Sequence, residues 1–147
     1  MKFVEESYNK NDQKAKDLLT SFLRFRGHEV FDNQDKYGID LYSTIPDKKF
    51  WWEVEMKSRR PWTCREDFPF DSVSFLGRKK KWADQLFWYV IICDETHAAL
   101  ICRSDTIFKP EYQEKIYINT ADRKGKDIFY RVPKEYCIFV PPKEFKV

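Results

Sequence analysis

Residues 86–93, Leu-Phe-Trp-Tyr-Val-Ile-Ile-Cys, form an unbroken apolar run of eight. The run is rich in β-branched and aromatic side chains and is far shorter than the about 20 residues a membrane-spanning helix needs. It reads as a central strand buried on both faces. Such a strand calls for apolar cover above and below, so the rest of the chain has to supply a sheet and its covering layers.

The surrounding elements follow from periodicity and turn signals. Ala15, Leu18, Leu19, Phe22, Leu23 and Phe25 recur at helical spacing, which predicts a helix over residues 11–26. Gly27 stops it, and Arg24 and Arg26 suit the negative end of its dipole. Residues 28–31 read as a short strand and 32–36 as a polar turn. Residues 37–45 and 50–57 read as the arms of a hairpin, joined by a four-residue turn, Pro46-Asp47-Lys48-Lys49. A second helix is predicted over 71–84, although Gly77 is a poor helix residue. Residues 98–102 form the neighbour of the apolar strand, and 116–119, 128–132 and 136–140 read as further short strands. The result is one domain over residues 1–147 of the mixed α/β (α+β) class. Its central mixed β-sheet is flanked by helices, with a core over 11–102 and a strand-rich C-terminal extension over 105–147.

Composition removes several function classes. Hydrophobic residues make up 42% and aromatics 18%, more apolar bulk than a disordered chain carries. The start of the chain turns acidic at Glu5-Glu6, unlike a signal peptide. Cys64, Cys93, Cys102 and Cys137 form no CxxC pair, and His97 has no second pair with which to complete a zinc pattern. Reduced, mostly buried thiols in a cytoplasmic protein are expected. No phosphate-binding glycine loop, HExxH or nucleophile elbow occurs. The net charge of +3 permits a nucleic-acid partner without demanding one.

Chemistry is concentrated in the hairpin. A four-residue turn pairs Ile45 with Phe50, Tyr42 with Glu53 and Asp40 with Glu55. Residues directly opposite share a face. Asp40, Glu53, Glu55 and Lys57 then project from one side, and Ile39, Leu41, Trp52, Val54 and Met56 from the other, into the core. Two carboxylates about 5 Å apart repel unless a cation lies between them. Mg²⁺, which takes oxygen ligands and keeps several waters, is the natural occupant. A lysine two positions on can orient an attacking water and stabilise charge developing on a phosphate. Asp, Glu and Lys around a metal therefore suit phosphodiester hydrolysis. The alternative for these residues is a solvated, charged hairpin face.

Asp40, followed on the next arm by Glu55-Met56-Lys57 and preceded by a helix, resembles the PD-(D/E)XK (restriction-endonuclease-like) nuclease superfamily. Glu55-Met56-Lys57-Ser58-Arg59-Arg60, with Trp51-Trp52 before it, is similar to the corresponding strand of small Holliday-junction resolvases. The resemblance covers about residues 11–102, and Ile39 stands where the family signature has proline. The bare (D/E)-x-K pattern occurs five times in the chain, but only the copy at Glu55 lies in an apolar strand that follows a strand with an isolated acid. The resemblance implies a metal held by Asp40, Glu55 and the Met56 carbonyl, with Lys57 serving catalysis. Many members add an acid from the first helix. Here that would be Asp12, which lies on the edge of the buried stripe, whereas Asp17 points elsewhere. A helix-start acid favoured by the dipole is an equal reading of Asp12. Glu53 reads first as a solvated strand residue and otherwise as an outer ligand.

Arg59 and Arg60 follow the lysine, and Arg78, Lys79, Lys80 and Lys81 cluster ahead of Trp82. These cations would hold backbone phosphate, or else form a solvated face. Trp51, Trp62 and Trp82 could stack on unpaired bases, although core packing is the default for most aromatics. The expected function is a Mg²⁺-dependent nuclease, with Mn²⁺ substituting, acting on DNA rather than RNA and as an endonuclease. The family resemblance adds a possible homodimer, and no membrane partner is expected. The alternative is a nucleic-acid-binding or protein-interaction module on the same fold that does not cleave.

Overall fold

The computed structural model describes residues 2–35, 38–57, 60–119 and 124–145, with side chains described outside 2–11, 117–126 and 145. Helix α1 (Lys2–Phe25) is longer than the periodicity suggested, because the stripe begins only at Ala15. Ala15, Leu19, Phe22 and Leu23 are buried as expected, but Phe25 is exposed. The helix ends in a Schellman arrangement. Gly27 takes a φ of 90°, the His28 N–H donates to Leu23 O and the Gly27 N–H donates to Arg24 O, each at 3.0 Å.

Strands β1 (Glu29–Asp32), β2 (Leu41–Ile45) and β3 (Lys48–Lys57) follow as an antiparallel meander. The segment after β3 crosses to β5 (Phe87–Cys93), which runs parallel to β3 and is covered on both faces. β6 (Ala99–Arg103) and β9 (Ile138–Val140) complete a six-stranded mixed sheet in the order β1-β2-β3-β5-β6-β9. One turn of helix, α2 (Ser104–Ile107), follows β6.

The crossover holds a correction. The helix expected over 71–84 is instead strand β4 (Ser72–Leu76) followed by a 3-10 turn, Gly77–Trp82. Val73 and Phe75 are buried and alternate with half-buried residues, so the local period is two rather than 3.6. β4 pairs with β8 (Lys124–Pro133), which pairs with β7 (Gln113–Asn119), to make a separate antiparallel sheet. Gly77 is required where the crossover passes β8, since a Cβ there would overlap the Ile128 carbonyl. The central sheet therefore has helix α1 over one face and a second sheet over the other. The architecture is mixed α+β with few helices.

Two cores result. Under α1, Leu41, Trp52, Val54, Val90, Ile92, Ala99, Ile101 and Val140 meet the helix stripe. Between the sheets, Phe87, Tyr89, Ile91, Leu100 and Cys102 meet Val73, Phe75, Tyr130 and Val132. The C-terminal strands supply one edge of the main sheet and most of the second. The cysteines are free thiols, with Cys93, Cys102 and Cys137 buried and Cys64 half-buried. No helix among the described residues is long and apolar enough to cross a membrane.

Candidate functional site

Hairpin geometry decides which carboxylates meet. The turn contains two residues rather than four: Ile45 pairs with Lys48, and Leu41 with Trp52. Pro46 comes first and Asp47 takes a φ of 67°, features of a type II turn. The register is thus shifted by two residues, which keeps the side chains of the two paired strands on their expected faces but changes their partners. Asp40, just before β2, falls opposite Glu53 and not Glu55. Its N–H donates to Glu53 Oε1 at 2.8 Å, and Asp40 Oδ2 accepts from the Val54 N–H at 3.1 Å. Ile39 is also corrected. It precedes the strand and joins the core between the sheets, not the one beneath α1.

Glu53 is not solvated. Its side chain is 1% exposed, and its Oε2 accepts from Lys79 Nζ at 2.6 Å. Burial, and after it the Asp40 charge, raise its pKa to about 7 against the opposing pull of Lys79 and of the Asp40 N–H. Asp40, 17% exposed, is also raised, chiefly by burial, with the Val54 N–H and Lys79 opposing. From α1, Lys16 Nζ lies 4.0 Å from Asp40 Oδ1 and 3.6 Å from Asp12 Oδ2. Asp12 is thus the first-helix acid near the cluster. Asp17 accepts from the exposed Gln13 instead.

Two residues along β3, Glu55 Oε1 accepts from the Tyr89 hydroxyl at 3.0 Å and lies 3.7 Å from Lys57 Nζ. Lys57 also donates to the Ser74 carbonyl of β4 at 2.9 Å. Tyr89 is deeply buried, and burial followed by the Glu55 charge pushes its phenol well above the ordinary value. Met56 stands opposite Ile92 in the parallel ladder, and its side chain packs on the α1 side.

The basic groups divide. Arg78, Lys80 and Lys81 are exposed on the 3-10 turn, while Lys79 turns inward to Glu53. Lys79 and Lys81 lie 4.9 and 4.6 Å from the centre of the Trp82 ring. Arg60 is exposed over Phe70, and Arg59 lies outside the described residues. Trp62 is buried edge-on to Phe68 and Phe139, so the stacking role suggested for it is not available in this fold.

The donor set suits a hard cation in kind. Each of the two carboxylates gives one oxygen to a backbone N–H and turns the other, Asp40 Oδ1 or Glu53 Oε2, toward a lysine ammonium. Two anionic oxygens in a desolvated setting fit Mg²⁺ better than a soft metal. Among the described residues, no three His, Cys, Asp or Glu side chains gather as a metal-binding group. The sequence held a signal for Glu53, because a Pro-Asp turn of two residues puts it opposite Asp40. No family model matches the chain, and no curated protein or solved structure matches it.

Proposed function

We propose that the protein is a metal-dependent nuclease that hydrolyses phosphodiester bonds in DNA, on a core of α1, β1–β3 and β5 like that of the restriction endonucleases. The observation that carries this reading is the buried Asp40–Glu53 pair, which faces the same way as Glu55 and Lys57. A bound Mg²⁺ or Mn²⁺ would be held by Asp40 Oδ1 and Glu53 Oε2, and would supply an activated water and charge neutralisation at the phosphate. Lys57 places its ammonium beside Glu55, where it can orient the water and stabilise the charged transition state. Water oxygen bonds to phosphorus, the ester P–O bond breaks, and the leaving oxygen takes a proton. Glu55 holds Lys57 in place on one side and the Ser74 carbonyl holds it on the other. The exposed Arg78, Lys80 and Lys81 contribute phosphate contacts.

The test is incubation with Mg²⁺ or Mn²⁺ and a panel of single-stranded, duplex, nicked and branched DNA plus RNA. Wild type is expected to cleave DNA, and Glu53→Gln and Lys57→Ala to lose about 100-fold or more. Cleavage that persists in both variants would overturn the site. A second reading, a module that binds nucleic acid without cutting it, is favoured by the 2.6 Å Lys79–Glu53 pair, which already neutralises one carboxylate. Binding in EDTA with no cleavage under any metal would select it.

A further inference from the structure

The face of the sheet that carries Glu53 and Glu55 continues outward into three aromatic rings in direct register. Phe31 of β1 pairs with Tyr42 of β2, and Tyr42 pairs with Trp51 of β3. The rings touch in sequence. Phe31 stacks on Tyr42 at 5.1 Å and 21°, and Tyr42 meets Trp51 at 5.1 Å and 51°. Phe31 is 41% exposed, and Tyr42 and Trp51 are half-buried. Trp51 also packs against the core between the sheets, whereas Phe31, open to water at the sheet edge, adds little to either core because its apolar area stays wet. Lys49, exposed, holds its ammonium 4.3 Å from the Tyr42 ring and 4.5 Å from the Trp51 ring. Trp51 stands two residues before Glu53 on the same side of β3. The basic 3-10 turn reaches this side too, since Lys79 meets Glu53.

We propose that Phe31, Tyr42 and Trp51 form a stacking platform for unpaired bases, so that the nucleic acid engaged here carries a single-stranded segment beside the phosphate at Asp40–Glu53. The inference rests on the nuclease reading for the position of that phosphate and adds the form of the substrate. Aromatic rings in a row, with the Lys49 ammonium over two of them, suit the alternation of bases and phosphates in an unpaired strand. Three rings on a sheet surface hold about two or three bases. A duplex keeps its bases stacked inside and offers the rings nothing but its ends. Charge complementarity favours a polyanion over an apolar peptide.

The experiment measures binding in EDTA by fluorescence anisotropy, which separates recognition from cleavage. The probes are a labelled dT12 strand, an abasic strand of the same length and a blunt duplex. Wild type is expected to bind dT12 about tenfold or more tightly than the abasic strand, and the variant Phe31→Ala/Tyr42→Ala to lose that preference. Lys49→Glu keeps all three rings and so tests the surface without emptying it. It is expected to weaken dT12 and the abasic strand alike. Equal affinity of wild type for dT12 and the abasic strand would overturn the platform, as would an unchanged preference in the double variant. So would a lack of binding to either strand. Each of these outcomes leaves the metal-dependent cleavage test of Glu53→Gln standing or failing by itself.

Discussion

On the helix side of β3, Trp52 and Val54 are buried with Leu41, Val90 and Ile92 beneath α1. On the opposite side, Glu53 is buried as deeply, but against Asp40 and Lys79. The first face gains stability from each methylene it removes from water. The second has to satisfy two desolvated carboxylates with two backbone N–H groups and two lysines, an arrangement an apolar pair would make unnecessary. Buried charge of this kind adds little net stability, which is why we assign it to function.

The largest stability effect should fall on the helix side. Leu19 is fully buried in α1 over the sheet, and Leu19→Ala is expected to destabilise by about 4 kcal/mol in urea unfolding. On the nuclease reading, any loss of cleavage should then track the unfolded fraction alone. A drop in cleavage by fully folded Leu19→Ala protein would break the division between the faces.

The carboxylate side should show itself through pH. Glu53 titrates near 7 in the folded protein, against an ordinary value of 4.5. Below 4.5 both states carry the proton, so the contribution is fully present. Between 4.5 and 7 the folded protein keeps a proton that the unfolded chain has released, so stability falls as pH rises. Above 7 the fall is complete. The fall amounts to about 3 kcal/mol if Glu53 acts alone. Asp40 is raised as well and pulls the same way. Glu53→Gln removes the larger share, so its unfolding free energy should decline less between pH 5 and pH 8 than that of wild type. Equal declines would mean that Glu53 is not the group that titrates.

How much of this was legible beforehand differs by element. The apolar run 86–93 announced β5 because burial on both faces leaves no room for polar positions. The faces of the hairpin were legible because a two-residue slip preserves them. The partner of Asp40 is not, since a four-residue loop puts Glu55 opposite it, whereas Lys48 and Lys49 pair in the strand and leave a turn of two. The burial of Glu53 was hidden for a second reason. It depends on Lys79, 26 positions away, reached by a crossover whose strand β4 looked helical. Short strands at the edge of a long-range sheet take their form from partners such as β8 rather than from local propensity.

The finest division lies within β3 itself, between two Glu–Lys pairs two residues apart. Lys79 meets Glu53 at 2.6 Å in the interior, and Lys57 meets Glu55 at 3.7 Å at a more open position. Lys57 has two acceptors, Glu55 and the Ser74 carbonyl, but water can serve both once it is gone. Lys57→Met keeps the length of the aliphatic stem and removes the charge, so it should cost less than about 1 kcal/mol of stability. On the nuclease reading the same substitution should abolish cleavage while leaving binding in EDTA near wild type, because the ammonium acts on charge that appears only during the reaction. A variant that loses binding in proportion to cleavage would make Lys57 an ordinary phosphate contact. A variant that loses stability instead would make it a strut between β3 and β4.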